Sequence, residues 1–368
     1  MVGGTSTGIL DRNAMHLKRG LRAVRALLGH GRPPTPSKPP LDDAQRTFRH
    51  IWHYLQVGSD RRYPLKRSQT NALVLQMGKV ASTAIQAALG QRGINAFHSH
   101  GLTSPAQHAT LSQLMDSDLS FRLAAHDLRR HIQHVAMEMM IRWYRQHKQY
   151  KGRRLKVITL TRDPITHYPS NFLHRRDSAR EKVFAWSRAR SNLDVLDPID
   201  AGQAMSSFVM ELASIIAEGR PSTGRAAHGR CIALAVQRWP EHPVVASEVG
   251  AWLSPLGWFE DQITPVFGLN MLAAPELRDR GWAERGNDWV DILVLKFEAL
   301  SSLIPEVQRF FDLPELAVPR ENVTSAKSGA AEIAAAVRLA LDTPAGQACI
   351  RELRTSPYGL ACGYDRLT

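Results

Sequence analysis

Three short apolar runs constrain the fold of this chain more than any other feature of its sequence. They occupy residues 71–77 (NALVLQM), 156–161 (KVITLT) and 290–297 (VDILVLKF). Each is too short for a helix of ordinary length, and its nearly continuous apolar character is typical of a strand buried on both faces. A weaker run at residues 94–97 is a further strand candidate.

Helical patterns fill the stretches between these runs. Strands that alternate with helices indicate an α/β fold, in which a central parallel sheet is flanked by helices on both faces. The sequence therefore predicts a three-layer sandwich. Helices are predicted at residues 82–89, 127–149, 203–218, 228–253, 301–311 and 329–342, with another that begins at Pro164.

The positive charge is concentrated at one end of the chain. The formal net charge is +13, and residues 1–70 hold 13 lysines and arginines against 4 acidic residues, so +9 lies there. Such a balance points to an anionic partner. No nucleic-acid-binding motif is recognisable, so we expect no nucleic acid among the partners.

A basic amphipathic helix is predicted near the N-terminus, where Leu17, Leu21 and Leu28 recur at helical spacing among basic residues. Such a helix can lie at the periphery of an anionic membrane, bind an acidic partner, or dock on its own domain. The run RPPTPSKPP that follows predicts an extended linker. We therefore expect an arm and linker over residues 1–40 and a single α/β domain over residues 41–368.

Composition excludes several protein classes. The chain is 22% charged and 43% hydrophobic, which is typical of a globular protein. No apolar run approaches the ~18 residues of a membrane span, and the N-terminus lacks the apolar stretch of a secretory signal. Cys231, Cys349 and Cys362 form no CxxC pair, so neither a disulfide scaffold nor a cysteine zinc site is expected. We expect a cytoplasmic protein.

The first motif joins the strand at residues 71–77 to the helix that follows. Its residues are Gly78, Lys79, Val80, Ala81, Ser82 and Thr83. Small residues let backbone amides approach an oxyanion, the helix N-terminus favours negative charge, and Lys79 adds a full positive charge. An ordinary strand–turn–helix has a similar pattern. The segment lacks the GxxxxGK[ST] spacing of nucleotide triphosphatases, which argues against an ordinary kinase.

The second motif follows the strand at residues 156–161. It reads RDPITHYPS, with Arg162 at the strand end and Ser170 eight residues later. A guanidinium binds a phosphate through two parallel hydrogen bonds. Asp163 suits a helix N-cap and Pro164 the first helical position. The alternative is a surface Arg162 paired with Asp163 beside a solvent-facing Ser170.

Together the two motifs resemble the donor site of sulfotransferases that use 3′-phosphoadenosine-5′-phosphosulfate (PAPS). GKVAST is especially similar to the loop of the capsular polysaccharide synthesis family of sulfotransferase-like proteins. The resemblance covers about residues 70–330 and implies a P-loop-like fold. It also implies that Lys79 touches the bridging oxygen of PAPS, and that amides of residues 80–83 hold the 5′-phosphate. Arg162 and Ser170 would hold the 3′-phosphate.

Two further segments agree with this resemblance. Residues 290–300 look like the late strand and E-x-L turn common in these enzymes, where Glu298 would have a structural role. Residues 319–328 are similar to the C-terminal loop that closes over the nucleotide, which makes Ser325 and Lys327 candidate contacts.

A histidine at the end of the second strand is the candidate general base. His98 and His100 lie in the phrase FHSH, close to the Lys79 loop if the sheet is parallel. Histidine suits proton transfer near neutral pH, and uronyl 2-O-sulfotransferases have a similar His-x-His. We assign His100 as the base and His98 as its neighbour or alternative. A structural histidine is the competing interpretation.

The sequence thus predicts a PAPS-dependent sulfotransferase whose acceptor is a hydroxyl, with the resemblance implying a saccharide. An atypical P-loop kinase and a non-catalytic polyanion-binding protein are the alternatives. His131 and His134 have a spacing that can bind zinc on a helix, but no third ligand is evident, so no metal is expected. Five aromatic residues are candidates for either sugar-stacking walls or the core: Trp252, Trp258, Phe259, Trp282 and Trp289.

Overall fold

A computed structural model describes residues 70–78, 80–102, 137, 140–149, 152–191, 200–318 and 330–367. The predicted arm and linker therefore lie outside the described residues. So do Lys79, Ser325, Lys327, His131 and His134. All the elements below belong to one compact unit of residues 66–101 and 141–368. The expected single domain over residues 41–368 stays a prediction.

The protein is an α/β structure built on a five-stranded sheet. The strands are β1 (Asn71–Leu75), β2 (Asn95–Ser99), β3 (Leu155–Thr161), β4 (Trp282–Gly286) and β5 (Val290–Lys296), in the order β2-β1-β3-β5-β4. β1 pairs in parallel with β2 and β3, and β3 pairs in parallel with β5. The three apolar runs are thus strands, and every residue of β1 is buried.

The expectation of a purely parallel sheet is wrong at one edge, where β4 pairs antiparallel with β5. A short turn joins the two strands, and the side chain of Asn287 accepts hydrogen bonds from the N–H groups of Trp289 and Val290. β4 is an edge strand, and much of it is only half-buried. An edge strand does not need a continuous apolar sequence, and WAERG contains no apolar run that would predict this strand.

Helices connect and cover the strands. The predicted helix at residues 228–253 is in fact two helices, because the chain turns at residues 239–242 and restarts at Pro243. The predicted N-cap at Asp163 is confirmed, since its Oδ1 accepts a hydrogen bond from the N–H of Ile165, at 3.1 Å. The helices are α1 (Ser82–Gln91), α2 (Pro164–Ser191), α3 (Ala201–Gly219), α4 (Ala226–Arg238), α5 (Pro243–Trp258), α6 (Thr264–Phe267), α7 (Pro275–Arg280), α8 (Ile304–Phe311), α9 (Ala330–Leu341), α10 (Pro344–Arg354) and α11 (Pro357–Cys362).

Most of the aromatic residues considered as sugar-stacking walls lie in the core. Trp252, Trp258, Phe259 and Trp289 are buried, and Trp282 is half-buried. Tyr168 of α2 stacks on Trp252, with ring centroids 4.3 Å apart. This stack packs α5 against α2, and the four buried rings are not available to an acceptor sugar. None of the helices in the described ranges is long and apolar enough to cross a membrane.

Candidate functional site

The strand order creates a crevice between β1 and β3. β2 pairs with one side of β1, and β3, the next strand along the chain, pairs with the other side of β1. In open α/β sheets, ligands bind at such a switch point, outside the carboxyl ends of the strands. Three segments lie at the carboxyl ends of these strands. They are residues 76–81 after β1, of which all but Lys79 are described (the first loop), residues 162–163 after β3 (the second loop), and the two histidines at the end of β2.

The first loop ends in a strained residue. Ala81 is the N-cap of α1 and has φ 61° and ψ 22°, in the left-handed region. That conformation costs an alanine about 1–2 kcal/mol. Strain of this kind persists where the surroundings enforce it, and it clusters at ligand sites. The side chain of Ala81 caps nothing, so the first turn of α1 presents backbone N–H groups and the positive end of its dipole.

The side chains of the first motif divide between core and surface. Val80 and Ser82 are buried and Thr83 is exposed. Val80 and Ser82 thus anchor the junction between the first loop and α1. At Gly78, a Cβ would meet no atom of the described residues within 4 Å. The space beside Gly78 within the described part of the chain lets another molecule approach the backbone.

A histidine ties the first loop to the helix after the second loop. His167 of α2 is buried, and its Nε2 lies 2.9 Å from the carbonyl oxygen of Gly78. A carbonyl oxygen only accepts, so Nε2 carries a proton and donates. This bond joins two motifs that are 89 positions apart in the chain. No local sequence pattern predicts this bond.

Arg162 in the second loop has its guanidinium carbon 4.5 Å from the centroid of the Phe297 ring. Its Nε lies 3.4 Å from Oγ1 of Thr166, one turn along α2. Burial lowers the pKa of Arg162, and the negative charge of Glu298 opposes this effect. A half-buried guanidinium has the geometry and the charge to bind a phosphate.

Asp163 does not act as the surface partner of Arg162 that the alternative interpretation assumed. It is buried, and its Oδ2 pairs with Nη2 of Arg354 at 2.9 Å. Its N–H donates to Oε1 of Glu298 at 2.8 Å. Burial raises the pKa of Glu298, and the bond from Asp163 opposes this shift. Glu298 thus has the structural role that the sequence suggested, since it holds the second loop.

Ser170 is buried in α2, contrary to the solvent-facing alternative. It lies three and four positions after His167 and Thr166, so these residues share one helix face. That face contains both the contact to Gly78 and the contact to Arg162. Ser170 therefore lies on the α2 face that contains these two contacts, about two turns beyond Arg162.

The two histidines of β2 differ in their surroundings. Their rings pack edge to face with centroids 4.5 Å apart. Burial, with the nearby His100 as a second cause, lowers the pKa of His98 to about 4. His100 is exposed, and its Nδ1 lies 3.1 Å from the carbonyl oxygen of Gln76. Nδ1 must donate to that oxygen, so the neutral ring has its lone pair on Nε2.

Sequence reasoning missed the contribution of the C-terminal helices. Arg354, Tyr358 and Tyr364 all contact β3 or the second loop, from about 190 to 200 positions further along the chain. It also missed a π-helical turn, Phe259–Ile263, preceded by Trp258, whose Nε1 lies 3.4 Å from the carbonyl oxygen of His100. No local pattern marks contacts of this range.

Comparison with protein-family models, with curated proteins and with solved structures finds no match to this chain. In the part of the chain that the structure describes, no group of three or more histidine, cysteine, aspartate or glutamate side chains could hold a metal ion.

Proposed function

We propose that this chain is a PAPS-dependent sulfotransferase that transfers a sulfuryl group to a hydroxyl of an acceptor. The observation that carries the proposal is the bond from His167 to the carbonyl of Gly78. It brings the start of α2, with Arg162 before it, against the first loop at the switch point between β1 and β3. Two candidate phosphate sites on adjacent loops suit a nucleotide with phosphates at both ends of its ribose.

The donor would lie across the two loops. Backbone N–H groups of residues 80–83 and the dipole of α1 would hold the 5′-phosphate, in the space that opens beside Gly78. Lys79 would neutralise the bridging oxygen. Arg162 and Ser170 would hold the 3′-phosphate, and Ser325 and Lys327 would close over the nucleotide. This arrangement accords with a P-loop-like, three-layer fold, which is part of the proposal.

The transfer step would use His100 as the base. The acceptor oxygen forms a bond to sulfur while the bond from sulfur to the 5′-phosphate oxygen breaks, and the hydroxyl proton moves to Nε2 of His100. The product nucleotide, adenosine 3′,5′-bisphosphate, leaves with the negative charge. Lys79 and the N–H groups of α1 stabilise that charge, as electrostatic catalysis requires. Because its pKa is about 4, His98 is neutral near pH 7 and places no positive charge beside the base.

The remaining parts of the proposal rest on the sequence. A saccharide acceptor follows from the family resemblance alone. A cytoplasmic location follows from the cysteine content, and contact of the basic arm with a membrane surface or an acidic partner follows from its charge. No metal takes part in the proposed step.

Calorimetry with adenosine 3′,5′-bisphosphate and with ATP tests the proposal. We expect the bisphosphate to bind and to bind more tightly than ATP, because only the bisphosphate offers a 3′-phosphate to Arg162. Binding of ATP without the bisphosphate would instead favour a kinase. A chain lacking residues 1–40 should keep its affinity for the bisphosphate. If that deletion abolished all anion binding, the polyanion-binding alternative would replace the enzyme.

A further inference from the structure

The C-terminal helices fasten the second loop through three side chains, Arg354, Tyr358 and Tyr364, which we call the C-terminal latch. The hydroxyl of Tyr358 accepts a hydrogen bond from the N–H of Arg162 and donates one to the carbonyl oxygen of Arg162, each at 3.0 Å. The hydroxyl oxygen of Tyr358 thus binds both the N–H and the carbonyl of Arg162. Arg354 adds the ion pair with Asp163.

Tyr364 lies beside Tyr358, with ring centroids 5.9 Å apart, and holds the residue before the second loop and the Glu298 carboxylate that the loop contacts. Its hydroxyl lies 3.0 Å from Oγ1 of Thr161, the last residue of β3, and 3.1 Å from Oε2 of Glu298. Oε1 of the same carboxylate accepts the N–H of Asp163. Thr161, Arg162 and Asp163 are therefore each bound to the latch, directly or through Glu298.

The two tyrosines of the latch lie where their hydroxyls cannot contact the ligand. Tyr358 and Tyr364 are almost fully buried. Burial raises the pKa of both hydroxyls well above 10, so both keep the proton that they donate. The side chain of Arg162 lies instead between the Phe297 ring and Thr166 at the start of α2. The latch thus fixes the backbone from which the guanidinium projects.

We propose that Tyr358 and Tyr364 are positioning residues that hold Arg162 in place for a 3′-phosphate and so give the site its preference for nucleotides that carry one. This inference rests on the proposed function. A residue that only stabilised the fold would affect nucleotides with and without a 3′-phosphate alike. A positioning residue changes the ratio of their affinities.

The test is the substitution Tyr358→Phe, with adenosine 3′,5′-bisphosphate and 5′-AMP as calorimetric probes. The two nucleotides share the adenosine and the 5′-phosphate and differ at the 3′ position. Loss of the hydroxyl leaves the N–H and the carbonyl of Arg162 without this partner. We expect the affinity for the bisphosphate to fall about tenfold and the affinity for 5′-AMP to stay unchanged.

Tyr144→Phe is the matched control. Tyr144 is equally buried, and its hydroxyl accepts a hydrogen bond from the side chain of Asn71. Asn71 begins β1, so this bond lies at the amino end of the strand, whereas the candidate site lies at the carboxyl ends. We expect this variant to lose a similar amount of thermal stability but to keep both nucleotide affinities. Tyr364→Phe is a milder variant, because the bonds from Tyr358 to Arg162 remain. We expect its affinity for the bisphosphate to fall about threefold and its affinity for 5′-AMP to stay unchanged.

The outcomes separate the two proposals. A wild-type protein that fails to bind the bisphosphate contradicts the proposed function. If the wild type binds it, then an equal loss for both nucleotides, or no loss, in both tyrosine variants overturns the positioning role alone. A selective loss for the bisphosphate in either variant supports it.

Discussion

The two loops that form the candidate site are held by different chemistry. In the first loop, imidazole rings donate to backbone carbonyls, His100 to Gln76 and His167 to Gly78. In the second loop, the Tyr358 hydroxyl binds the backbone N–H and carbonyl of Arg162, and the Glu298 carboxylate accepts the N–H of Asp163. The first loop also contains the strained Ala81.

Because of this difference, the two loops are suited to different tasks within one site. Burial raises the pKa of the Tyr358 and Tyr364 hydroxyls well above 10, so both keep their protons at every physiological pH. A neutral imidazole has one donor and one acceptor nitrogen, and exposed His100 uses Nδ1 as the donor to Gln76. The second loop is therefore suited to constant binding of a phosphate, whereas the first loop lies beside an imidazole whose Nε2 can accept a proton from a substrate.

The largest expected effect concerns the proton-transferring half of the site. His100→Ala should lower turnover by about 10²- to 10⁴-fold, the usual contribution of a general base. The affinity for adenosine 3′,5′-bisphosphate should change far less, because His167 still holds the first loop at Gly78 and the second loop is intact. Transfer of label from radiolabelled PAPS to a mixture of soluble polysaccharides measures the first quantity, and calorimetry measures the second.

His98→Gln is the companion variant, since it removes the neighbouring ring and leaves the proposed base. It should keep most of the turnover. Unchanged turnover in His100→Ala would remove His100 from the role of base, and a greater loss in His98→Gln would transfer that role to His98.

A smaller effect is expected in the pH dependence of stability. The pKa of His98 is about 4 in the folded protein, against 6.5 for an ordinary histidine. Below pH 6.5 the unfolded chain binds a proton that the folded chain refuses, so stability falls as the pH falls and levels off below about 4. Between pH 7 and pH 5 the free energy of unfolding should drop by about 2 kcal/mol from this group.

Urea denaturation at the two pH values measures this drop in the wild type and in His98→Gln. The glutamine variant does not titrate, so its drop between pH 7 and pH 5 should be smaller by the same amount. Equal pH dependence in both proteins would show that His98 is not responsible.

The buried strands and the two motifs could be predicted from the sequence because neighbouring residues encode each of them. β1, β3 and β5 are mostly apolar, and the N-cap of α2 is encoded by the adjacent pair Asp163-Pro164. The half-exposed edge strand β4 lacked such a signal, and the break between α4 and α5 is too short to interrupt an apolar helical pattern.

The contacts that assemble the site could not have been predicted in the same way. His167 reaches Gly78 and Tyr358 reaches Arg162 only because the sheet order places distant segments side by side. The chain contains 15 histidines, and without the strand order nothing distinguishes His167 from the others as a contact of the first loop. The lowered pKa of His98 likewise depends on burial, which the residue's local sequence does not encode.

The central claim is that the two loops form one site in which Arg162 binds a 3′-phosphate. A thermodynamic cycle tests it most directly, with bisphosphate and 5′-AMP affinities measured by calorimetry for the wild type and for Arg162→Ala. We expect the 3′-phosphate to improve affinity by about 10- to 100-fold in the wild type, the value of a charge-assisted contact, and to add almost nothing in the variant. An equal ratio of affinities in both proteins would contradict the claim.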